Sequence, residues 1–216
     1  MGLVFWGVLF LYVGSVPYVK AEIVGPSFSG QKAALQQLIE TRKRRGRAIY
    51  LPPKYPGEIS SGLVLLPSIK KPTTTLGSEG ADATAVNPTG LELPAPGQGL
   101  VEYYVAQSGS DFVGVDFEYL QTSLPRLIVE NLELAQTFEM AIDGSFVTIR
   151  TVGERLYELC SALTISAKGE EYLACPFHSS FATVLARSTG KSVLIESATR
   201  MDDARTIVAT YRIAES

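Results

Sequence analysis

The tetrapeptide Cys175-Pro176-Phe177-His178 places a potential nucleophile three residues from a potential base. Proline favours the first turn of a helix, so Cys175 is expected at or just before a helix N-terminus, where the helix dipole lowers the pKa of a thiol. His178 could then act as the base that activates it. The same residues also fit a cysteine packed in the core and a histidine facing solvent in the first helical turn. Neither an oxyanion site nor an orienting group can be identified, so the sequence shows no evident catalytic site.

Cys160 and Cys175 are the only cysteines in the 216-residue chain, and His178 is the only histidine. One disulfide is possible, although two buried free thiols are the commoner arrangement in a chain of this size. Cys160 falls on the apolar side of a predicted helix and is expected in the core. The spacing matches neither a CxxC nor an HExxH motif, so we expect no metal site and no cofactor.

Other side chains that could do chemistry have simpler explanations. The pairs Glu170-Glu171 and Asp202-Asp203 could supply two glycosidase-type carboxylates, but they fall in predicted turns, where solvation accounts for them. The glycines form neither a P-loop nor a dinucleotide-binding motif. Three tyrosines could line a ligand pocket, meet a partner or pack against helices: Tyr103, Tyr104 and Tyr119.

The N-terminal segment is the strongest signal for location. Residues 2–18 carry no charge, and the apolar run to Val19 would span about 27 Å as a helix, close to the thickness of a hydrocarbon core. No basic residue precedes the run, as a secretory signal would require, whereas basic residues follow it. We therefore expect a single-pass membrane anchor with the C-terminal domain on the cytoplasmic side. The alternative is secretion after signal cleavage near Ala21.

A basic cluster follows the predicted anchor in an otherwise acidic chain. The net charge of −3 and the pI near 5.3 argue against nucleic acid as a partner, because phosphate binding needs clustered positive charge. The cluster could instead attract anionic lipid headgroups, or it could complement the dipole at a helix end. Its members are Arg42, Lys43, Arg44, Arg45 and Arg47.

The hydrophobic pattern predicts three regions: an anchor over residues 1–20, a juxtamembrane basic helix over 21–47 and one α/β domain over 48–216. Residues 67–99 form a predicted irregular excursion, rich in Pro, Gly, Thr and Ala. The predicted helices cover residues 122–142, 154–163 and 176–189. The predicted strands cover residues 48–51, 63–66, 101–107, 112–119, 145–152, 192–197 and 205–213. We expect an α/β (α+β) fold in which these helices cover a mostly antiparallel sheet.

The C-terminal segment from Cys175 to Ile213 resembles the closing segment of 4-vinyl-reductase-type domains, whose relatives include the TRAPP transport-complex subunits. The resemblance rests on Cys175 before a helix rich in small residues, the turn Thr189-Gly190-Lys191, the acidic turn Asp202-Asp203 and the final triplet Tyr211-Arg212-Ile213. Ser179-Ser180 and Ala182-Thr183 replace glycines that are common in that family, and its additional cysteines are absent. The resemblance implies a lipid-binding or small-molecule pocket, or a scaffold role. The whole chain is also similar to uncharacterised membrane-anchored proteins of archaea.

These features favour a membrane-tethered binding or scaffold domain without an evident catalytic site. Its expected partners are membrane lipid, through the N-terminal segment, and a protein or small ligand. One alternative is a thiol-dependent enzyme or redox sensor that uses Cys175, which requires this thiol to be exposed. The other is a structural subunit of a larger membrane complex.

Overall fold

The computed structural model describes residues 4–6, 21–41, 47–53, 62–67, 90–157, 160, 164–167, 170–201 and 206–215. A π-helical turn, Arg126–Asn131, continues the third helix. The other elements, numbered in chain order, are α1 (Ala21–Thr41), β1 (Ile49–Leu51), β2 (Leu63–Pro67), β3 (Gly90–Pro94), α2 (Gln98–Ser108), α3 (Phe117–Pro125), β4 (Thr137–Asp143), β5 (Phe146–Val152), β6 (Ile165–Ala167), β7 (Glu170–Leu173), α4 (Pro176–Thr189), β8 (Val193–Met201) and β9 (Thr206–Ile213).

Seven of these strands form one antiparallel sheet in the order β3-β2-β1-β8-β9-β5-β4, and β6 and β7 form a separate hairpin. The prediction of an α+β fold with an antiparallel sheet and covering helices is confirmed. The strands predicted around 48–51, 63–66 and 145–152 are present. The C-terminal unit also has its expected form, since α4 ends at Gly190 in the left-handed conformation and β8 pairs with β9.

The two strands predicted over residues 101–107 and 112–119 are wrong, because the first range lies within α2 and the second leads into α3. Gln98, Val101 and Tyr104 are buried at a spacing of three, which is the period of a helix face. Asp116 caps the next helix by accepting a hydrogen bond from the Tyr119 N–H at 2.7 Å. The valines and tyrosines here favoured a strand by type, but the helical spacing of the buried positions prevails.

The predicted helix over residues 122–142 is also wrong in its second half. The helical segment ends with the π-helical turn, and β4 begins at Thr137. Phe138, Met140 and Ile142 alternate with more exposed residues, which is the period of a strand. Gly144, with φ +57°, lies in the tight turn between β4 and β5, so it joins two strands and does not end a helix.

The described residues include only part of the N-terminal region for which the sequence made predictions. Helix α1 runs through Pro26, where a break was expected. Residues 7–20, 42–46 and 68–89 lie outside the described residues, and with them most of the predicted anchor, basic cluster and excursion. Half of the predicted helix 154–163 also lies outside the described residues. The far end of the excursion is regular, since it forms β3. Among the described helices, none is both long enough and apolar enough to cross a membrane.

Helix α4 is buried along almost its entire length. It contacts β1, β8 and β9 of the sheet on one side and α2 on the other. Every residue from Phe177 to Ser188 is buried, so the helix has no solvent face. Its hydroxyls are satisfied locally: Thr183 donates to the Ser179 carbonyl at 2.9 Å, and Ser180 donates to the Phe177 carbonyl at 2.6 Å.

Gly97 marks the closest approach between the start of α2 and the first turn of α4. Its N–H donates to Ser179 Oγ at 2.9 Å. A Cβ atom at position 97 would collide with the backbone nitrogen of Ser180 and the carbonyl oxygen of Pro176. Both are backbone atoms of α4, so neither can move without shifting the helix.

We predict that Gly97→Ala lowers the free energy of unfolding by about 2–3 kcal/mol, because the methyl group overpacks this contact. Gly99→Ala is the matched control, since nothing lies within 4 Å of its added Cβ. In a helix that substitution should be neutral or stabilising by up to about 1 kcal/mol. Urea denaturation followed by circular dichroism measures both, and equal stability of the two variants would contradict the close approach.

Candidate functional site

Glu154 lies immediately beyond β5 and is completely buried. Gly153, with φ +65°, turns the chain at the end of the strand. The Arg155 N–H then donates to the Leu134 carbonyl at 2.8 Å, and the Tyr157 N–H donates to the Glu154 carbonyl. This backbone path directs Glu154 into the protein, although an isolated glutamate is normally exposed.

Cys160 and Cys175 form a disulfide with a Cα–Cα distance of 4.7 Å, within the range that such a bond requires. The expectation of two free thiols was therefore wrong, although both cysteines are buried as expected, at 1% exposure each. The bridge joins two positions with a sequence separation of 15, and the segment between them contains the β6–β7 hairpin. Cys175 is also the N-cap residue of α4, as its position before Pro176 predicted.

The Glu154 carboxyl lies directly against this bridge. Its Oε1 is 3.1 Å from Cys160 Sγ. A sulfur in a disulfide carries no proton, so a hydrogen bond here requires a proton on the carboxyl, which donates to the sulfur. After reduction the Cys160 thiol can donate to a carboxylate instead. The contact therefore offers a site where a proton can be exchanged between Glu154 and Cys160.

His178 completes the group from the first turn of α4. It is 4% exposed, so the expectation that it faces solvent was wrong. Its Nδ1 lies 3.4 Å from the hydroxyl of Tyr211 on β9, and its Nε2 lies 3.9 Å from Glu154 Oε2. Phe177 and Phe181 surround the imidazole with aromatic edges and faces. The ring is thus held by packing as well as by Tyr211.

We call Glu154, Cys160, Cys175 and His178 the buried thiol cluster. One ligand atom from each of Glu154, Cys175 and His178 lies within 4.8 Å of the other two. Glu154 Oε2 and His178 Nε2 are buried and have no hydrogen-bond partner among the described residues. Chain spacing identified Cys175 and His178 but not Glu154, because only the turn after β5 brings this glutamate to them.

Burial sets the protonation of the cluster. It raises the pKa of the Glu154 carboxyl to about 7, although the positive charge of Arg200 acts in the opposite direction. Burial also lowers the pKa of His178 to about 4, and Arg200 adds to that decrease. Both effects favour the neutral forms. Between about pH 4 and pH 7 the pair is therefore mainly a carboxylic acid beside a neutral imidazole, with no ion pair.

The remaining candidate residues lie elsewhere. Arg47 is exposed and forms an ion pair with Glu196, while the other four members of the basic cluster lie outside the described residues. Tyr104 is buried, with its hydroxyl 3.2 Å from Ser180 Oγ, whereas Tyr103 and Tyr119 are exposed. Asp202-Asp203 lies outside the described residues, and Glu170-Glu171 begins β7.

Comparison with protein families assigns the chain to a family but gives no activity. A family model described as "Domain of unknown function (DUF7982)" matches residues 2–212, almost the whole chain. The chain belongs to this family. No curated protein and no solved structure matched the chain. The similarity of the C-terminal segment to 4-vinyl-reductase and TRAPP domains stays a prediction.

We predict opposite pH dependences of stability for two variants of the cluster, measured on the oxidised chain with chelator present. In Glu154→Gln only His178 titrates; its pKa is about 4 when folded and 6.5 when unfolded. The unfolded state binds more protons in that window, so stability falls by about 3 kcal/mol as the pH drops from 6.5 to 4.

In His178→Asn only Glu154 titrates, with a pKa of about 7 when folded and 4.5 when unfolded. The folded state then binds more protons, so stability falls by about 3 kcal/mol as the pH rises from 4.5 to 7. Subtracting the two urea-denaturation profiles removes the common contribution of the other carboxylates. Parallel profiles would show that the two groups are not buried in neutral form.

Proposed function

We propose that this domain is a redox-responsive module in which the Cys160–Cys175 bridge is reversibly reduced and reformed. The observation that carries the proposal is the contact of 3.1 Å between the buried Glu154 carboxyl and Cys160 Sγ. A bridge that served only to stabilise the fold would need no ionisable neighbour. Burying a carboxyl and an imidazole with unpaired polar atoms costs free energy, and such costs are commonly found at functional sites.

The proposal differs from the one drawn from Cys175 alone. An enzyme with a Cys175 nucleophile needs an exposed thiol beside its base, whereas this sulfur is 1% exposed and bonded to Cys160. The histidine that was expected as its base has Nδ1 directed towards Tyr211. The reactive unit is therefore the pair of cysteines, with Glu154 as the proton donor and acceptor.

The chemistry follows from the geometry when the reductant is a dithiol. Its thiolate attacks Cys175 Sγ, the S–S bond breaks, and Cys160 leaves as a thiolate. Glu154 gives this thiolate its proton across the 3.1 Å contact. The second thiol of the reductant then displaces Cys175 from the mixed disulfide and gives its proton to the departing Cys175 thiolate. The proton released by the first thiol of the reductant restores the Glu154 carboxylic acid, so the reductant leaves as a disulfide and the protein keeps two thiols. Oxidation reverses these steps, with Glu154 accepting the Cys160 proton.

We predict that Glu154→Gln slows reduction of the bridge by dithiothreitol about 100-fold at pH 6–7, because glutamine cannot supply the proton. Thiols trapped with a maleimide reagent at timed intervals measure the rate on the full-length chain. The sulfurs are buried, so the rate includes local opening.

Glu130→Gln is the control, because Glu130 is exposed and forms an ion pair with Arg126, at 3.7 Å. This control variant undergoes the same local opening as the wild type, so its bridge should be reduced at the wild-type rate. The proposal is wrong if the bridge is reduced only when the chain unfolds, or if both variants react at the same rate. In either case the bridge is structural.

We further propose that the N-terminal segment tethers this module to a membrane. The support is the uncharged run in the sequence, together with the side chains of Val4, Phe5 and Trp6, which are 72%, 66% and 55% exposed. Adjacent apolar side chains that reach solvent favour a lipid or protein contact. The basic cluster would then lie near the headgroups, on the cytoplasmic side if the orientation expected from charge holds.

We predict that the full-length chain floats with neutral lipid vesicles in a density gradient, and that deletion of residues 2–20 abolishes this flotation with neutral vesicles. Replacing Arg42, Lys43, Arg44 and Arg45 by glutamine should weaken binding of the deleted chain to phosphatidylserine vesicles by about fivefold per charge, with no effect on neutral vesicles. Flotation that survives the deletion would contradict the tether. A mature chain that begins at Glu22 by mass spectrometry would instead indicate a cleaved signal.

A further inference from the structure

The buried thiol cluster contains more donor atoms than a disulfide switch requires. Glu154, Cys175 and His178 have ligand atoms within 4.8 Å of one another, and Cys160 Sγ is 3.1 Å from Glu154 Oε1. Four ligands at 2.0–2.3 Å from a tetrahedral ion lie roughly 3.3–3.8 Å apart. The distance of 3.9 Å between His178 Nε2 and Glu154 Oε2 nearly meets this requirement already.

Two buried atoms point to a missing ligand. Glu154 Oε2 and His178 Nε2 have no hydrogen-bond partner among the described residues, although their side chains are 0% and 6% exposed. Unsatisfied buried polar atoms are rare and call for an explanation. A cation between them satisfies both, because each offers a lone pair to it when Nε2 is unprotonated.

We propose that, in the reduced protein, Glu154, Cys160, Cys175 and His178 bind one divalent transition-metal ion of the zinc type. The inference rests on the reversible reduction proposed above, because a sulfur in a disulfide is not a thiolate ligand. Two thiolates, an imidazole and a carboxylate form a donor set that suits zinc, cobalt or iron and discriminates against magnesium and calcium. The bridge would then act as a switch between a metal-binding and a metal-free state.

The atoms and charges balance in two steps. A dithiol supplies two electrons and two protons to the bridge and leaves as a disulfide, which produces the Cys160 and Cys175 thiols. The ion then displaces the two thiol protons, and the Glu154 proton where it is present, into solvent. The bound site carries a net charge of −1, and Arg200 is the cation whose charge acts on both Glu154 and His178.

Tyr211 positions the histidine for this role. Its hydroxyl lies 3.4 Å from Nδ1, on the side of the ring opposite the Nε2 that faces Glu154. A proton on Nδ1 that is donated to Tyr211 leaves Nε2 with its lone pair available. Outer hydrogen bonds of this kind fix the tautomer and orientation of metal-binding histidines.

The test is cobalt titration of the full-length chain before and after reduction with excess dithiothreitol, followed by anaerobic removal of the reductant. The reduced chain should bind one equivalent of Co²⁺, with the sulfur-to-cobalt charge-transfer absorption and the visible bands of tetrahedral cobalt. Added Zn²⁺ should abolish these bands, and the oxidised chain should show none. X-ray absorption at the zinc edge of the wild-type chain should give two sulfur and two lighter ligands, which needs no variant to fold.

Variants assign the ligands. Glu154→Gln and His178→Asn should each weaken cobalt binding by at least about tenfold. Glu130→Gln should bind cobalt like the wild type, and circular dichroism identifies any variant that fails to fold. Tyr211→Phe should weaken binding by about tenfold or more while keeping the charge-transfer band, since it removes an orienting contact and no ligand.

The outcomes separate this inference from the proposed function. If two thiols form on reduction but no cobalt bands appear, the metal site is overturned and the redox switch stands. If the bridge resists reduction in the folded chain, the redox switch fails, and Cys160→Ser tests the remaining three ligands without a bridge. Cobalt binding by that variant would support a site built on Glu154, Cys175 and His178, and its absence would overturn the site.

Discussion

The enclosure of α4 on every side is the constraint on which the rest of the structure depends. A helix packed between a sheet and a second helix presents mostly small or apolar side chains, and its buried polar groups need hydrogen-bond partners inside the protein. Phe177 and Phe181 fill the space on the core side, and Gly97 permits α2 to approach from the other. Because the backbone of α4 cannot shift, the first turn that carries Cys175 and His178 is fixed relative to β9 and to the turn after β5.

The buried thiol cluster is a product of that fixed position. Cys175 and His178 come from one end of α4, Glu154 from the end of β5, Cys160 from the segment beyond it and Tyr211 from β9. The neutral carboxyl and neutral imidazole limit the cost of burial, since neither carries a full charge away from water. Both groups can therefore gain or lose a proton when reduction of the bridge creates a charged thiolate beside them.

The sequence predicted the parts of the fold whose local signals agree with their tertiary setting. Pro176, Arg187 and Gly190 mark the start and end of α4, and the alternation around Ile207, Ala209 and Tyr211 marks β9. It failed where residue type and spacing conflict, as in α2, whose valines and tyrosines suggested a strand. The helix prediction also failed in β4, because its apolar residues fit the apolar stripe of a helix as well as the alternation of a strand.

The site was predictable to a smaller extent. Cys175 and His178 were identified because they are close in the chain and lie at a helix start. Glu154 carried no such signal, since its role depends on a contact between elements that are far apart in sequence. The bridge to Cys160 was one of two arrangements that the composition permits, and only the approach of the two backbones distinguishes them. Spacing rules for zinc sites likewise assume ligands from one or two short loops, whereas these donors come from separate elements.

The place of β1 in the sheet has a consequence for how the chain matures. This three-residue strand lies between β2 and β8, and Ile49 is opposite Leu194. Pairings of such large sequence separation are slow to form and depend on residues that a ribosome adds last. Strands β1, β2 and β3 can pair with one another, but the other edge of β1 has no partner until β8 has been synthesised. During translation the edge of β1 therefore stays unpaired, and it is covered only when β8 has been synthesised and pairs with it.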